Sequence, residues 1–588
     1  MVVVLIADPV HATDCAAMLI SCHARYRNTG IRCASGQLPS RYDKESTAPN
    51  LPMQIPPMQI PFFLRASGLL LLTLSLSLPP SVPAQQQTHT TLDSDSQGYP
   101  RISSTELSPK EECAVLAKTN FSNVQDAPTQ ITEAALNDAG TGAPFCRVEG
   151  YVSPQVRFEM HLPVGNWNGK FVETGCAAAC GTIMIDWLCP TLLKKGYACL
   201  ASDMGHQGRI EDGLWAYNNL QAELDFGYRA AHVTALAGKA ISESFYKRAP
   251  DKSYFCGCST GGREGMMEAQ RFPWDFDGII AGAPASDQAG IIMTRLWAAL
   301  AVKASEGKTL LRETDLQMVH KAVVAACDMN DGVRDGLIGD PRACHFDLRN
   351  LTCKGETRSQ CLSIEQIAAL RKIYSGPTTS AGKRIYADGE LMFGSELAFG
   401  EYYQFGHFSS FDTGFLKYMA FLPAQGPNWQ ISDLNFDRDY KRFGMTDALY
   451  AANNPDLTAF KAHGGKLIVY QGWADAGAGG VPPLKTVSYY ETAERTMGGP
   501  AATREFFRLF MLPGMGHCGG GEGASNVDYV SYLEDWVERR RAPDVIVATH
   551  NGPDGSKFTR PVYPYPIQTK YKGVGDPASA DSFGPARP

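Results

Sequence analysis

The chain has 588 residues, of which 44% are hydrophobic, and a formal net charge of −7 with a sequence pI near 6.0. Such a length can bury a large core in two or more structural units. The acidic balance, without a basic block, argues against a nucleic-acid partner, and no apolar run reaches membrane-spanning length.

Residues 1–57 have mixed composition, contain Cys15, Cys22 and Cys33, and show no periodicity. From Met58 the segment "MQIPFFLRASGLLLLTLSLSLPPSVPAQQQ" combines Arg65, an apolar stretch to Leu78, a Pro79-Pro80 break and a small-residue site ending at Ala84. That is the layout of a secretory signal peptide. Translation is therefore expected to start at Met53 or Met58, with 1–57 a non-native extension and 58–84 the signal segment. The mature chain would begin near Gln85 with a polar, flexible arm over 85–110. It would be secreted or periplasmic, with no stable membrane association after cleavage. An oxidising compartment lets the cysteines pair, and the number beyond the signal segment is odd, so at least one stays unpaired or bonds elsewhere.

From 111 to 289 short apolar strands alternate with helical spacing. "RFEMHLP", "KFVETG", "GYACLASDMGH" and "KSYFCGCS" read as strands, and "LDFGYRAAHVTALAGKAISESFY" as a helix. Between 290 and 455 the alternation breaks into short helices, paired cysteines, a Gly/Asp-rich loop and many aromatics. It resumes at 456–588 with "GKLIVYQGWAD", "EFFRLFMLPGMGHC" and the helix-like "YVSYLEDWVERR". This predicts an α/β fold with a mostly parallel sheet, interrupted by one large insertion.

"YFCGCSTGGREG" places Ser259 between glycines at a strand-to-helix junction, the G-x-S-x-G pattern of a nucleophile elbow. The turn needs flanking residues without bulk so that the hydroxyl stands exposed. A serine nucleophile needs a base, and the base an orienting acid. Asp475 and His517 each follow a predicted strand, where sites on parallel sheets form, and the chain order Ser, Asp, His is that of an α/β-hydrolase. Asp203 and His206 are rivals, but His206 precedes Ser259. His232 lies within a helix and reads as a packed or surface residue. One oxyanion donor should be the N–H of Thr260, next after the nucleophile. Cys258 adjoins Ser259 and Cys518 adjoins His517, so a Ser–His hydrogen bond would bring these cysteines within disulfide reach.

These segments, "GCSTGGREGMMEAQRFPWDFDGIIAGAPA", "VYQGWADAGAG" and "LPGMGHCGGG", resemble the tannase/feruloyl esterase family of serine esterases, which includes the mono(2-hydroxyethyl) terephthalate hydrolases. The resemblance runs from about residue 111 to 575. It implies an α/β-hydrolase fold with a large inserted lid domain at 290–455, and a bond between Cys258 and Cys518. It points to the Ala177 N–H as the second oxyanion donor, and implies further disulfides Cys327–Cys344, Cys353–Cys361 and Cys113–Cys146. Cys176, Cys180, Cys189, Cys199 and Cys256 stay unassigned, and the family's C-terminal cysteine pair is missing.

The loop "CDMNDGVRDGLIGDPRAC" carries Asp328, Asp331 and Asp335 among glycines. Closely spaced oxygens suit Ca2+, although a solvated acidic turn explains the spacing as well. The resemblance implies a structural Ca2+ held by these three side chains and the carbonyls of Val333 and Leu337, remote from the serine. The inserted segment is dense in aromatics from Phe399 to Trp429. Most belong to its core, with Phe415 the first candidate to stack on an aromatic acyl group. Phe411 aligns where terephthalate half-ester hydrolases carry a carboxylate-binding arginine.

The expected protein is a secreted carboxylic ester hydrolase acting on small-molecule esters of phenolic acids, such as feruloyl or galloyl esters. An aromatic diacid half-ester is the alternative substrate. A non-catalytic calcium-dependent binding protein is a rival of another class, as is a thiol–disulfide oxidoreductase suggested by Cys256-Gly-Cys258 and Cys176-x-x-x-Cys180. The latter lacks a C-x-x-C motif.

Overall fold

Nine strands form one sheet: β1 (Thr129–Asn137), β2 (Phe145–Val152), β3 (Val156–Pro163), β4 (Lys170–Thr174), β5 (Ala198–Ser202), β6 (Lys252–Cys258), β7 (Gly278–Gly282), β8 (Lys466–Gly472) and β9 (Phe507–Leu512). They come from a computed structural model that describes residues 107–586, apart from 139–142, 304–308, 356–359, 401–409 and 478. The strand order is β1-β2-β3-β5-β4-β6-β7-β8-β9. From β5 to β9 every pairing is parallel. The β1, β2, β3 edge is antiparallel and joins β5 antiparallel. This is the α/β-hydrolase architecture, with the expected parallel sheet extended by an antiparallel edge.

Burial explains the strand sequences. All five residues of β7, Gly-Ile-Ile-Ala-Gly, are buried, as a parallel strand covered on both faces requires. In β2 buried and part-buried residues alternate, as in a strand that is covered on one face. Phe255 at the centre of β6 has no exposed surface, and such burial contributes about 1.5–3 kcal/mol.

β6 runs straight into the helix Thr260–Arg271, which packs against β6 and β7. Gly262 in its first turn allows that approach. A Cβ there would run into the Gly282 carbonyl oxygen and Pro284 Cα, both main-chain atoms that cannot swing aside. Arg263 beside it is fully buried, and its guanidinium donates to the carbonyls of Phe226 and Gly227 at 2.8 Å each. Those carbonyls belong to a π-helical turn, Asp225–Arg229, that precedes the helix Ala230–Tyr246. A π turn interrupts the regular ladder, and here the arginine fills the gap.

The expected extension (1–57), signal segment (58–84) and most of the arm (85–110) lie outside the described residues. The arm ends earlier than expected. Ser108 caps the helix Pro109–Leu116 in a reciprocal capping box with Glu111, and Cys113–Cys146 ties that helix to β2. The long insertion lies between β7 and β8.

Two C-terminal hairpins, β10 (Ile546–Asn551) with β11 (Lys557–Val562) and β12 (Gln568–Tyr571) with β13 (Phe583–Ala586), stand apart from the main sheet. Polar contacts anchor the tail that has no cysteine pair. Arg560 pairs with Asp335, Gln568 donates to Asp340, and Tyr565 joins Arg342 to Glu491.

Gly262→Ala is expected to lower stability by about 1–3 kcal/mol through overpacking against main chain. Gly208→Ala, where an added Cβ meets nothing within 4 Å, should stay within about 0.5 kcal/mol. Urea denaturation of both variants checks the contrast.

Candidate active site

Ser259 sits between β6 and its helix with φ 64° and ψ −118°, a backbone state that a residue with a side chain adopts only under constraint. Three main-chain bonds hold it there. Its N–H donates to Gly282 O at 2.9 Å, and its carbonyl accepts from Arg263 N at 3.0 Å and Ala285 N at 3.1 Å. The side chain is thereby turned out of the strand direction.

His517 follows β9, and its Nε2 lies 2.9 Å from Ser259 Oγ. Its Nδ1 faces Asp475, 3.0 Å from Oδ2 and 3.2 Å from Oδ1. A carboxylate facing Nδ1 fixes the tautomer with hydrogen on Nδ1, which leaves Nε2 free to accept from the serine hydroxyl. Asp475 follows β8 and is fully buried. Its oxygens also accept from Val481 N at 3.0 Å and Gln471 Nε2 at 2.7 Å. Gln471 is in turn fixed by Thr486 Oγ1 at 2.9 Å. The three expected side chains thus converge in one hydrogen-bonded row.

The loop after β4 is fastened onto the first turn of the nucleophile helix. Gly261 N donates to Cys176 O at 2.9 Å, and Thr260 Oγ1 donates to Ala178 O at 2.7 Å. This brings Ala177 beside Thr260. Among the described residues, neither the Thr260 nor the Ala177 main-chain N–H is given to a protein acceptor. Two such amides beside a serine hydroxyl have the form of an oxyanion hole.

Six disulfides join described residues. Cys258–Cys518, Cys113–Cys146, Cys327–Cys344 and Cys353–Cys361 pair as expected. Cys176–Cys180 and Cys189–Cys199 supply pairings that the sequence left open. The former closes the loop that carries Ala177. Beneath it lies Glu264, whose carboxylate accepts from Cys176 N at 3.4 Å and which burial pushes up to about 8.

The rival residues have other partners. Asp203 accepts the amides of Gly205 and Arg157, and burial pushes it up to about 7. His206 donates to Ala179 O at 2.7 Å and stacks on Trp215, and burial pushes its pKa down to about 4. Both shape the loops around the oxyanion turn.

A family model described as tannase and feruloyl esterase matches residues 140–586. The chain belongs to this family.

It is a carboxylic ester hydrolase that acts on small-molecule esters. It is 33% identical over 533 residues to the mono(2-hydroxyethyl) terephthalate hydrolase of Piscinibacter sakaiensis, covering 79% of this chain and 87% of that one. It is 34% identical over 466 residues to a probable feruloyl esterase of Arthroderma benhamiae, covering 74% and 83%. The crystal structure of feruloyl esterase B from Aspergillus oryzae superposes with a TM-score of 0.74 at 26% identity, covering 81% of this chain and all of that one.

In the acidic loop Asp328 Oδ1 accepts the amides of Asp335 and Gly336 at 3.1 and 3.2 Å, and Asp331 Oδ1 accepts from Val333 N at 3.2 Å. Asp335 accepts from Leu337 N and pairs with Arg560. Burial, with Asp335 and Asp328 close by, pushes Asp331 up to about 7. The donors are all oxygen and carry more negative charge than Arg560 balances, so the residues fit a hard divalent cation.

Phe415 is 1% exposed, on the helix Ser410–Tyr418, with its ring edge-on to Tyr450. It is part of the core rather than the open stacking platform expected of it. Phe411 is buried as well. Tyr402, Tyr403, Phe405 and Phe408 lie outside the described residues.

His320, on the inserted helix Glu313–Cys327, faces Glu396 through Nδ1 and Glu522 through Nε2, each at 2.8 Å. Two carboxylate acceptors require hydrogen on both nitrogens. Burial opposes the charge, but Glu396 and Glu522 outweigh it and hold the pKa up at about 9. A folded pKa above the ordinary 6.5 contributes stability that is complete below about pH 6.5 and is lost as pH rises through about 9. The melting temperature should therefore fall over that interval, and His320→Gln should flatten the fall.

Proposed function

We propose that Ser259 is the nucleophile, His517 the general base and acid, and Asp475 the group that orients His517 and stabilises its charged form. Ser259 attacks the ester carbonyl as its proton passes to His517 Nε2. The N–H groups of Thr260 and Ala177 hold the oxyanion, and His517 returns the proton to the departing alcohol. Water activated by His517 then releases the acid. The observation that carries this reading is the hydrogen-bonded row from Asp475 through His517 to Ser259 Oγ.

The substrates in this reading are esters of phenolic acids, feruloyl or galloyl, released outside the cytoplasm. Relatives named feruloyl esterase support this, as do several disulfides and the signal-like segment. No helix among the described residues is long and apolar enough to cross a membrane. A buried phenylalanine at 411, where the half-ester hydrolases are expected to carry an arginine, weighs against a terephthalate half-ester.

A panel of methyl ferulate, methyl gallate and mono(2-hydroxyethyl) terephthalate tests the choice. A phenolic ester should be turned over fastest, and a preference for the half-ester would overturn it. Ser259→Ala should lower kcat by several orders of magnitude with an unchanged melting temperature. Turnover within about tenfold of the parent enzyme would remove Ser259 from its role.

The loop ion is the second part of the reading. Asp328, Asp331 and Asp335, with the carbonyls of Val333 and Leu337, would hold a structural Ca2+, whose charge offsets the crowded carboxylates. Chelation should lower the melting temperature and Ca2+ restore it, because a ligand of the folded state stabilises by mass action. Asp331→Ala should melt like the chelated protein and ignore further chelator. A melting point indifferent to both reagents would leave an acidic turn without a metal.

A further inference from the structure

Two sets of three metal-capable side chains converge among the described residues, each with its ligand atoms within 4.8 Å of one another. In the set Cys176, Cys180 and Glu264 the two sulfurs are bonded to each other and offer no thiolate. The other set is His232, Glu268 and Asp275. His232 comes from the helix Ala230–Tyr246, Glu268 from the nucleophile helix, and Asp275 from the turn that leads into β7.

The donors do not suffice for the carboxylates buried here. Glu268 is 1% exposed, and neither of its oxygens has a hydrogen-bond donor. Asp275 is 2% exposed; Oδ2 lies 2.5 Å from His232 Nδ1, and Oδ1 has no donor. Glu173 on β4 adds a third carboxylate to the same pocket. Its Oε1 accepts from Thr234 Oγ1 at 2.7 Å, and its Oε2 has no donor. Lys239 is near all three, but its ammonium donates to the main-chain oxygen of Asp275. Carboxylate oxygens of Glu268 and Asp275 lie within 4.8 Å of each other. Two acceptors share such a pocket only through a proton or through a cation.

We propose that His232, Glu268 and Asp275, backed by Glu173, form a structural site for a divalent first-row transition metal, with Zn2+ as the type. One imidazole nitrogen with carboxylate oxygens is a zinc-type ligand set, whereas Ca2+ and Mg2+ take oxygen alone. The His232 ring is held by stacking on Phe272, with centroids 3.8 Å apart and planes 6° from parallel. Thr234 fixes Glu173 behind it, the kind of outer support that orients metal ligands. The His232 side chain keeps 13% of its surface open to solvent, which gives an ion a way in. The bound ion would fasten two helices together, apart from the acidic loop and from the ester chemistry at Ser259.

The test uses the full purified protein, incubated with Zn2+, desalted, and read by elemental analysis and by thermal melting. The parent protein should retain about one zinc and melt higher with it. Glu268→Gln supplies an N–H to Asp275 and keeps the fold, but should retain roughly tenfold less zinc and lose the melting response. Should that variant fail to fold, His232→Gln reads the same two quantities. Asp331→Asn, in the acidic loop, should respond to zinc as the parent does. A parent protein that keeps no zinc and whose melting ignores it would mean that a shared proton holds the pair. That result, or a Glu268→Gln variant that binds zinc as well as the parent, would overturn the proposal.

Discussion

The constraint on which the site depends is that Ser259 and His517 must meet although 258 positions separate them and β7 and β8 lie between their strands. The Cys258–Cys518 bond lies next to both residues and spans a sequence separation of 260. In the chain-entropy view, closing a loop of that length is worth roughly 5–6 kcal/mol. Its local effect matters more here. It holds the two turns at one spacing, so that the 2.9 Å Ser–His contact does not rely on loop packing alone. The strained Ser259 backbone is sustained because Gly282, Arg263 and Ala285 each bond to it.

Polar groups buried under the site are arranged to serve it. Asp475 is fully buried, and its carboxylate accepts from Val481 N and Gln471 Nε2 besides His517, so it is held facing the imidazole. Arg263 and Glu264 follow the nucleophile in the same helix and act on different neighbours. Arg263 caps the π turn at Phe226 and Gly227, while Glu264 accepts from the oxyanion loop at Cys176. One helical turn thus ties the elbow to two neighbouring elements. The insertion is tied to the loop that follows His517 through Glu522 and His320.

The positions of Ser259, Asp475 and His517 were legible because each follows an apolar strand, and strand ends are marked locally in the sequence. The Cys258–Cys518 disulfide, next to Ser259 and His517, could be read for the same reason. Cys176–Cys180 and Cys189–Cys199 could not, since nearness along the chain does not decide pairing until the turn between them is known. The antiparallel β1 and β2 were missed because part-buried edge strands such as Thr129–Asn137 carry mixed polarity. Phe415 misled because an aromatic in an insertion packs in its core as readily as it faces a ligand, and sequence does not separate the two. The cluster around His232 left no trace either. A lone histidine on a helix gives no sign that Glu173, Glu268 and Asp275 will be buried beside it.

The most direct measurement of the central claim is stoichiometric labelling with a serine-directed phosphonate, followed by peptide mapping. The account predicts about one adduct per chain, on Ser259, formed quickly in the parent enzyme and far more slowly when His517 is replaced by alanine. No adduct, or an adduct on another residue with Ser259 unmodified, would contradict it.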